Sequence, residues 1–205
     1  MSYIKDPEQL HTFFNQEYYQ SINYTDYTLR EQKYELTASD IAQLLNLSTK
    51  DSLLDYGCAL GFLLRGYKKI GLTNTFGFDI SEWALDQTRN YGLTTSSDID
   101  IISERFYKLT TVLDVFEHMF DEEVHSVLNK LTTEILLVRI PVKLEGEDDF
   151  HLEVSRKDAS HVNCKTENEW IHFINHHGYV FDSFVNTESI YSSPGCFCGI
   201  FKRVM

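Results

Sequence analysis

Length, composition and charge restrict the class of protein before any motif is considered. The chain has 205 residues, 42% of them hydrophobic and 14% aromatic, which is enough for the core of one globular domain. The formal net charge of −13 gives a field that repels phosphate backbones and anionic lipids, which argues against a nucleic acid or a membrane surface as partner. No apolar run approaches the roughly 20 residues that span a bilayer, and the N-terminus lacks the apolar segment of a signal peptide. We therefore expect a cytoplasmic protein.

The four cysteines do not form a recognisable metal-binding pattern. Cys58 and Cys164 stand alone, and only Cys196 and Cys198 are close, as C-x-C. A zinc site needs two such pairs, or one pair with suitably spaced histidines. The sequence therefore predicts neither a metal site nor a disulfide framework.

The first 37 residues are rich in aromatic side chains, with more rings than one amphipathic helix face needs. We interpret residues 1–37 as a helical cap on a main domain that spans residues 38–205. A lid whose tyrosine hydroxyls reach a ligand is the alternative, with Tyr24 and Tyr27 as the residues that would close over it. The rings are Phe13, Phe14, Tyr18, Tyr19, Tyr24, Tyr27 and Tyr34.

Strands and helices alternate from residue 39 onward. Ser39 is predicted to begin a helix with Ile41 on its apolar face, and "SLLDY", "TFGFD", "LTTSS", "YKLTTVL" and "EILLVRI" predict five strands. Ser81 is placed to cap the helix after the second strand, and Asp121 the helix after the fourth. Strands separated by single helices form a parallel sheet that is covered on both faces.

The C-terminal part departs from this alternation. Thr166 and Glu169 form a T-x-x-E capping box for one more helix. The segments "YVFDSFVNT" and "CFCGIFKRV" are then joined by the turn "SSPG" without a helix, so the two strands are antiparallel. The predicted fold class is α/β: a Rossmann-like, seven-stranded, mostly parallel sheet with an antiparallel last strand and helices on both faces.

A glycine-rich turn, "LLDYGCALGF", follows the first strand, where such sheets bind ligands. The dinucleotide fingerprint G-x-G-x-x-G requires a small third residue at position 62, and Phe62 is too bulky for the close packing this requires. A nicotinamide-dependent oxidoreductase is therefore disfavoured. Between Asp55 and Gly61 the chain instead fits D-x-G-x-[GA]-x-G, and Asp79 at the end of the second strand is placed to accept hydrogen bonds from both hydroxyls of a ribose.

Three motifs carry a resemblance to a known family. "LLDYGCALG", "TFGFDIS" and "LTTVLDVFEHM" resemble the first, second and fourth strand-end motifs of class I S-adenosylmethionine-dependent methyltransferases, especially small-molecule methyltransferases whose fourth strand ends in D-x-x-E-H. The resemblance extends from Leu53 to the C-terminus, with Ala59 in place of the central glycine. It implies methyl transfer from S-adenosylmethionine to a small-molecule acceptor.

The resemblance also implies which residues bind the cofactor. The glycine turn would line its methionine and ribose parts, Asp55 would lie near its ammonium group and Asp79 would hold the ribose hydroxyls. Ile80 would pack on the adenine, Asp98 is a candidate partner of the adenine amino group, and the end of the fourth strand would border the sulfonium. The full set is Asp55, Gly57, Cys58, Ala59, Gly61, Asp79, Ile80, Asp98, Leu113 and Asp114.

Two histidines are the candidate catalytic residues. His118 lies just past the fourth strand, and an imidazole titrates near ~6.5, which suits a general base. His161 lies in a long loop after the fifth strand, in "DASHVNCKTENEW", which resembles a segment that the related small-molecule enzymes place over the acceptor. Alternatively, His118 packs at the start of the next helix and His161 fastens the loop. Glu117 is interpreted as an orienting partner or a solvated acid.

A second hypothesis is not enzymatic. Ala59 in the glycine turn, together with the absence of an obvious strong base, is also compatible with a catalytically inactive S-adenosylmethionine-binding or regulatory protein on the same fold.

Overall fold

The protein forms one seven-stranded sheet flanked by helices. The computed structural model describes residues 3–20 and 30–204, so Tyr24 and Tyr27 lie outside the described residues. Neighbouring strands β1 to β5 pair in parallel, and β7 pairs antiparallel with both β5 and β6, in the order β3-β2-β1-β4-β5-β7-β6. This confirms the predicted fold class. The strands are β1 (Leu53–Tyr56), β2 (Thr75–Phe78), β3 (Thr95–Ser96), β4 (Phe106–Leu113), β5 (Thr132–Pro141), β6 (Tyr179–Phe184) and β7 (Cys196–Arg203).

The described residues also form nine α-helices, and a short 3-10 turn, Phe116–His118, follows β4. Among these helices, none has both the length and the apolar character needed to cross a bilayer. The helices are α1 (Pro7–Phe13), α2 (Gln16–Gln20), α3 (Glu31–Leu44), α4 (Phe62–Lys69), α5 (Glu82–Arg89), α6 (Ile99–Ser103), α7 (Asp121–Lys130), α8 (Glu153–Arg156) and α9 (Glu167–Asn175).

The sheet separates two hydrophobic cores because successive strand residues point to opposite faces. Leu53 of β1 belongs to the core that α3 and α4 cover, where it meets Ile41 and Tyr67. Leu54, the next residue, belongs to the core on the other side, which includes Trp170 of α9 and residues of α6 and α7. Burial on both faces explains why Leu53 and Leu54 of β1 and residues 135–138 of β5 are consecutive apolar residues rather than alternating ones.

Two of the predicted helix caps are confirmed. The Ser81 hydroxyl accepts a hydrogen bond from the amide of Ala84 at 3.2 Å at the start of α5. At α9, Thr166 Oγ1 accepts from the Glu169 amide at 3.2 Å while Glu169 Oε2 accepts from the Thr166 amide at 2.7 Å. These bonds satisfy amides that have no partner inside the helix.

Two other predicted helix starts are wrong. The helix expected from Ser39 begins at Glu31, because Tyr34 and Ala38 extend its packed face by two turns, while Leu36 in the same segment points to solvent. Asp121 does not cap α7: it is the first helical residue, and its carboxylate accepts from the Asn163 side chain of the long loop at 2.9 Å. The amide before it is satisfied by a glutamate one turn into the helix.

Candidate active site

A cavity of about 490 Å³ opens at the carboxyl ends of β1, β2 and β4. Its volume lies within the range of roughly 300–1,000 Å³ that small-ligand sites occupy. The three strand ends contribute residues 55–59, 78–80 and 113–115, and the first helices of the chain supply the opposite wall. The ends of parallel strands thus meet where sheets of this type bind ligands.

The glycine turn between β1 and α4 holds three residues in left-handed backbone conformation, Gly57, Ala59 and Gly61, with φ of +79°, +47° and +74°. At Gly57 a Cβ atom would lie 2.3 Å from Val115 Cγ2, so only glycine lets the end of β4 approach this turn. The amides of Gly57 and Cys58 both donate to the carbonyl of Phe78, at 2.7 and 2.9 Å. The turn is therefore fastened to the end of β2.

The left-handed conformation of Ala59 is unfavourable by about 1–2 kcal/mol, because the residue has a Cβ atom. Its side chain packs in a small apolar cluster with Tyr18 and Tyr19 of α2 and Ala84 of α5. The methyl group thus contributes contacts with the N-terminal cap that a glycine would lack.

Asp79 presents its carboxylate to the cavity from the end of β2. Its Oδ2 accepts from the Ala59 amide at 2.8 Å and its Oδ1 from the Ser81 amide at 2.9 Å. Burial raises the pKa of Asp79 to about 6, and the hydrogen bonds from the two backbone amides oppose that rise. Each carboxylate oxygen has a second lone-pair direction, so both can still accept from a ligand.

Asp55 lies beside it at the end of β1 and also lines the cavity. Thr111 of β4 donates its hydroxyl to Asp55 Oδ1 at 2.8 Å. Burial raises the pKa of Asp55 to about 7, and the nearby charge of Asp79 contributes to the rise. The wall of the cavity at the ends of β1 and β2 therefore holds two buried carboxyls that titrate near neutral pH.

Asp114 follows β4 with a φ of +57° and lines the cavity as well. Arg139 of β5 donates from Nε to Asp114 Oδ1 at 2.9 Å and from a second nitrogen to Oδ2. Burial alone would raise the pKa of Asp114, but the guanidinium lowers it below its usual value, so the acid is ionised. Sequence reasoning missed Arg139; the signal was a charged residue inside an otherwise apolar strand.

Eight of the ten predicted cofactor residues line this cavity, including Cys58, Ile80 and Leu113. Gly61 does not: a Cβ there would lie 2.6 Å from Leu93 Cδ1, so the glycine serves the packing behind the turn. Asp98 does not line the cavity either, because its carboxylate caps α6 by accepting from the Asp100 amide at 2.9 Å.

The two candidate catalytic histidines, 43 positions apart in sequence, come together. The rings of His118 and His161 lie 4.6 Å apart, centroid to centroid, and His118 lines the cavity whereas His161 lies behind it. The long loop is held there by Asn163, whose amide donates to the Glu117 carbonyl at 3.0 Å. Burial lowers the pKa of His118 to about 4 and also lowers that of His161, so both imidazoles are neutral at pH 7.

Glu117 is fully buried, which the interpretation as a solvated acid did not foresee. Within the described part of the chain, neither of its carboxylate oxygens has a hydrogen-bond partner. Burial, reinforced by the charge of Asp114, raises its pKa well above the usual value. No local sequence signal predicts this, because the covering loop lies about 40 residues further along the chain.

The N-terminal helices close the cavity on the side opposite the sheet. Phe14 packs edge-on against His118, with ring centroids 5.3 Å apart, and Tyr19 stacks on Trp83 of α5 at 5.4 Å. His11 Nε2 lies 2.8 Å from Glu123 Oε1 of α7. The cap therefore contacts helices on both sides of the cavity.

Comparison with known proteins identifies the fold. No family model matches the sequence and no curated protein matches it. Magnesium protoporphyrin IX methyltransferase from Synechocystis PCC 6803, with bound S-adenosylhomocysteine, is 17% identical with a TM-score of 0.66, over 97% of this chain and all of that one. A S-adenosylmethionine-dependent methyltransferase from Clostridium acetobutylicum is 14% identical with a TM-score of 0.64, over 91% and 96% of the two chains.

A similar enzyme from Archaeoglobus fulgidus is 14% identical with a TM-score of 0.62, over 86% of this chain and 99% of that one. At these identities the likeness concerns the fold: the chain has the Rossmann-like fold of class I S-adenosylmethionine-dependent methyltransferases.

Proposed function

We propose that the protein is a S-adenosylmethionine-dependent methyltransferase that acts on a small-molecule acceptor. The observation that carries the proposal is the Asp79 carboxylate, which the amides of Ala59 and Ser81 hold at the cavity wall with lone pairs left to accept from a ribose. The fold supports it, since structural neighbours hold S-adenosylmethionine or S-adenosylhomocysteine.

The cavity residues fit the parts of this cofactor. Asp79 would accept from the two ribose hydroxyls, and Asp55 would pair with the ammonium of the amino-acid end. Ile80 and Ile99, both apolar and at the cavity wall, would pack against the adenine. Leu113 would border the sulfur. The acids of the cavity would thus face the polar parts of the cofactor, and the apolar residues would face its adenine and its sulfur.

When bound, S-adenosylmethionine supplies a methyl group on a positively charged sulfur, and an acceptor atom takes that methyl group by displacing the sulfur in line. The protein contributes position: groups held in a reactive geometry gain up to ~7–11 kcal/mol over free encounter. The acceptor would lie against Phe14, His118 and Met119, where the aromatic cap limits the access of water. A cavity of about 490 Å³ suits a small acceptor better than a macromolecule.

Calorimetric titration with S-adenosylmethionine tests the cofactor assignment. We expect micromolar-range binding, and loss of two hydrogen bonds to a charged group in Asp79→Ala costs about 3–6 kcal/mol, which is a weakening of about 100-fold or more. Asp98→Ala is the matched control, because that acid caps α6 outside the cavity. Equal affinity of the wild type and the Asp79 variant would overturn the assignment. Binding of NADH instead of S-adenosylmethionine would support the hypothesis of a nicotinamide-dependent oxidoreductase.

The inactive binding protein remains the second candidate, favoured by one observation: His118, the titratable group nearest the expected acceptor, has a pKa of about 4 and is a weak base. Transfer of labelled methyl from S-adenosylmethionine to alcohols, amines and thiols separates the two. Product formation that Asp79→Ala abolishes supports the enzyme. Tight cofactor binding without any product would favour the binding protein.

A further inference from the structure

We propose that Glu117, His118 and His161 bind a divalent transition-metal ion at the acceptor end of the cavity. Each residue offers one ligand atom, and these three atoms all lie within 4.8 Å of one another. Around a tetrahedral zinc ion, with bonds of about 2.0–2.1 Å, ligand atoms lie about 3.4 Å apart. Contraction of the longest of these distances by about 1.4 Å would therefore close the site.

The buried carboxylate of Glu117 is placed to bind a cation. Its side chain is wholly buried, and no hydrogen bond from the described residues reaches either carboxylate oxygen. Buried polar groups in proteins are almost always hydrogen-bonded, and an unpaired one costs free energy. A proton on the carboxyl would not remove this cost, since the O–H group would also need a partner. A bound metal ion would satisfy the carboxylate directly.

The hydrogen bonds of His118 set its ring for metal binding. The Ser160 hydroxyl donates to Asp158 Oδ1 at 2.5 Å, so it accepts from His118 Nδ1, which lies 3.0 Å away. The Ser160 carbonyl, 3.2 Å from the same nitrogen, is a second acceptor. Nδ1 therefore carries the proton, and the lone pair is on Nε2, 3.9 Å from Glu117 Oε1. Metal-binding histidines are oriented by such a bond from the other ring nitrogen.

His161 completes the donor set from the long loop. Its Nδ1 is buried and has no hydrogen-bond partner among residues 3–20 and 30–204. Two imidazoles and one carboxylate are a ligand set typical of zinc and of iron, cobalt or manganese in the divalent state. Asp158, with Oδ2 3.8 Å from His161 Nε2, adds negative charge.

The placement of the ligands indicates a role for the ion, and this part rests on the proposed function. Three protein ligands leave a position open. Of the three, His118 alone lines the cavity, so we place the ion at the cavity wall with its open position toward the acceptor. A metal ion at this place would hold an oxygen ligand and lower the pKa of a bound hydroxyl. The acceptor class we infer is therefore a small hydroxyl compound.

Metal titration of chelator-treated protein tests the site, with Zn²⁺ followed by calorimetry and Co²⁺ by visible absorbance. We expect one tight equivalent, weakened about 100-fold or more in both Glu117→Gln and His161→Gln. His125→Gln is the matched control, because the exposed His125 lies 2.7 Å from His177, ring nitrogen to ring nitrogen, and this surface pair is able to collect metal on its own. Unchanged affinity in the two buried variants, or loss of binding in the control, would overturn the proposal.

Two further measurements make the test specific. The melting temperature shows whether a variant is misfolded, and cofactor binding shows whether the proposed function fails independently of the metal site. Glu117→Gln removes a buried acid without changing its shape, so it is expected to stay folded, and Zn²⁺ should raise the melting temperature of the wild type but not of this variant. S-adenosylmethionine binding is measured on the metal-free protein. Cofactor binding without metal binding overturns the metal site alone. One tight equivalent of metal without cofactor binding supports the site and contradicts the proposed function.

Discussion

Affinity for S-adenosylmethionine is expected to fall as the pH is lowered from 7.5 to 5, because the ribose hydroxyls require an ionised Asp79. Burial raises the pKa of this carboxyl to about 6 from its usual 3.8. Protonation turns one of the two carboxylate oxygens from an acceptor into a donor. That oxygen can then no longer accept a hydrogen bond from a ribose hydroxyl. The ligand therefore binds the ionised form, and binding near pH 6 releases a proton.

The magnitude follows once Asp55 is prevented from titrating in the same range. Its pKa is about 7, and Asp55→Asn removes that titration while the amide oxygen still accepts from Thr111. In this variant the ionised fraction of Asp79 falls from roughly 0.97 at pH 7.5 to roughly 0.09 at pH 5, so the affinity falls about tenfold, or ~1.4 kcal/mol. The wild type loses more, because both acids become protonated.

Calorimetry at pH 5, 6 and 7.5 measures this dependence, and repetition at pH 6 in buffers of different ionisation enthalpy counts the protons released. Asp79→Ala, in an Asp55→Asn background, should bind weakly and equally at all three values. Equal affinity of Asp55→Asn at pH 5 and pH 7.5 would show that an ionised Asp79 is not the ribose acceptor.

Two stability predictions follow from the same region. Since burial raises the folded-state pKa of Asp55 to about 7 from 3.8, the stability that its protonated form provides is complete below pH 4 and lost as the pH rises through 7. In urea unfolding, the gain from Asp55→Asn should be larger at pH 8 than at pH 4 by up to about 4 kcal/mol, and a gain independent of pH would contradict this. Gly57→Ala combines a left-handed φ with a 2.3 Å clash against Val115, whereas Gly71→Ala has a φ of +87° and open space. We expect thermal unfolding to show a loss of about 1 kcal/mol at Gly71 and at least about 2–3 kcal/mol at Gly57; equal losses would mean that the close approach of β4 is unimportant.

The parts of the molecule that the sequence predicted depend on short-range patterns. The strand ends, the glycine turn and the placement of Asp79 follow from apolar runs, turn residues and spacing within about 30 positions. Asp98 lies outside the cavity because a carboxylate at the start of a helix can also cap that helix, and here it accepts from the Asp100 amide. The early start of α3 was missed because its first two turns are mostly polar and their leucine, Leu36, lies on the exposed face.

The acceptor end was harder to predict because it is built from segments that are distant in sequence. Glu117 follows β4, yet its burial depends on the loop that carries His161 and on the chain fold that brings the two together. The N-terminal helices add Phe14 against His118 from more than 100 residues away. A pattern in one segment shows which residues can bind a ligand, but not which distant segment covers them.

This division has a consequence for specificity. The cofactor end depends on backbone conformation at the strand ends, where Gly57 is required by a contact of 2.3 Å and Asp79 is fixed by two amides. The proposed acceptor end depends on side chains brought by the first helices and by the long loop. These contact the 3-10 turn after β4, where Phe14 packs against His118 and the Asn163 amide donates to the Glu117 carbonyl. We therefore expect substitutions in the long loop to change the acceptor without disturbing the cofactor, whereas substitutions at Tyr18 or Tyr19 also reach the glycine turn through Ala59. A change at Gly57 would affect both ends, because Val115 separates the glycine turn from the 3-10 turn that carries Glu117 and His118.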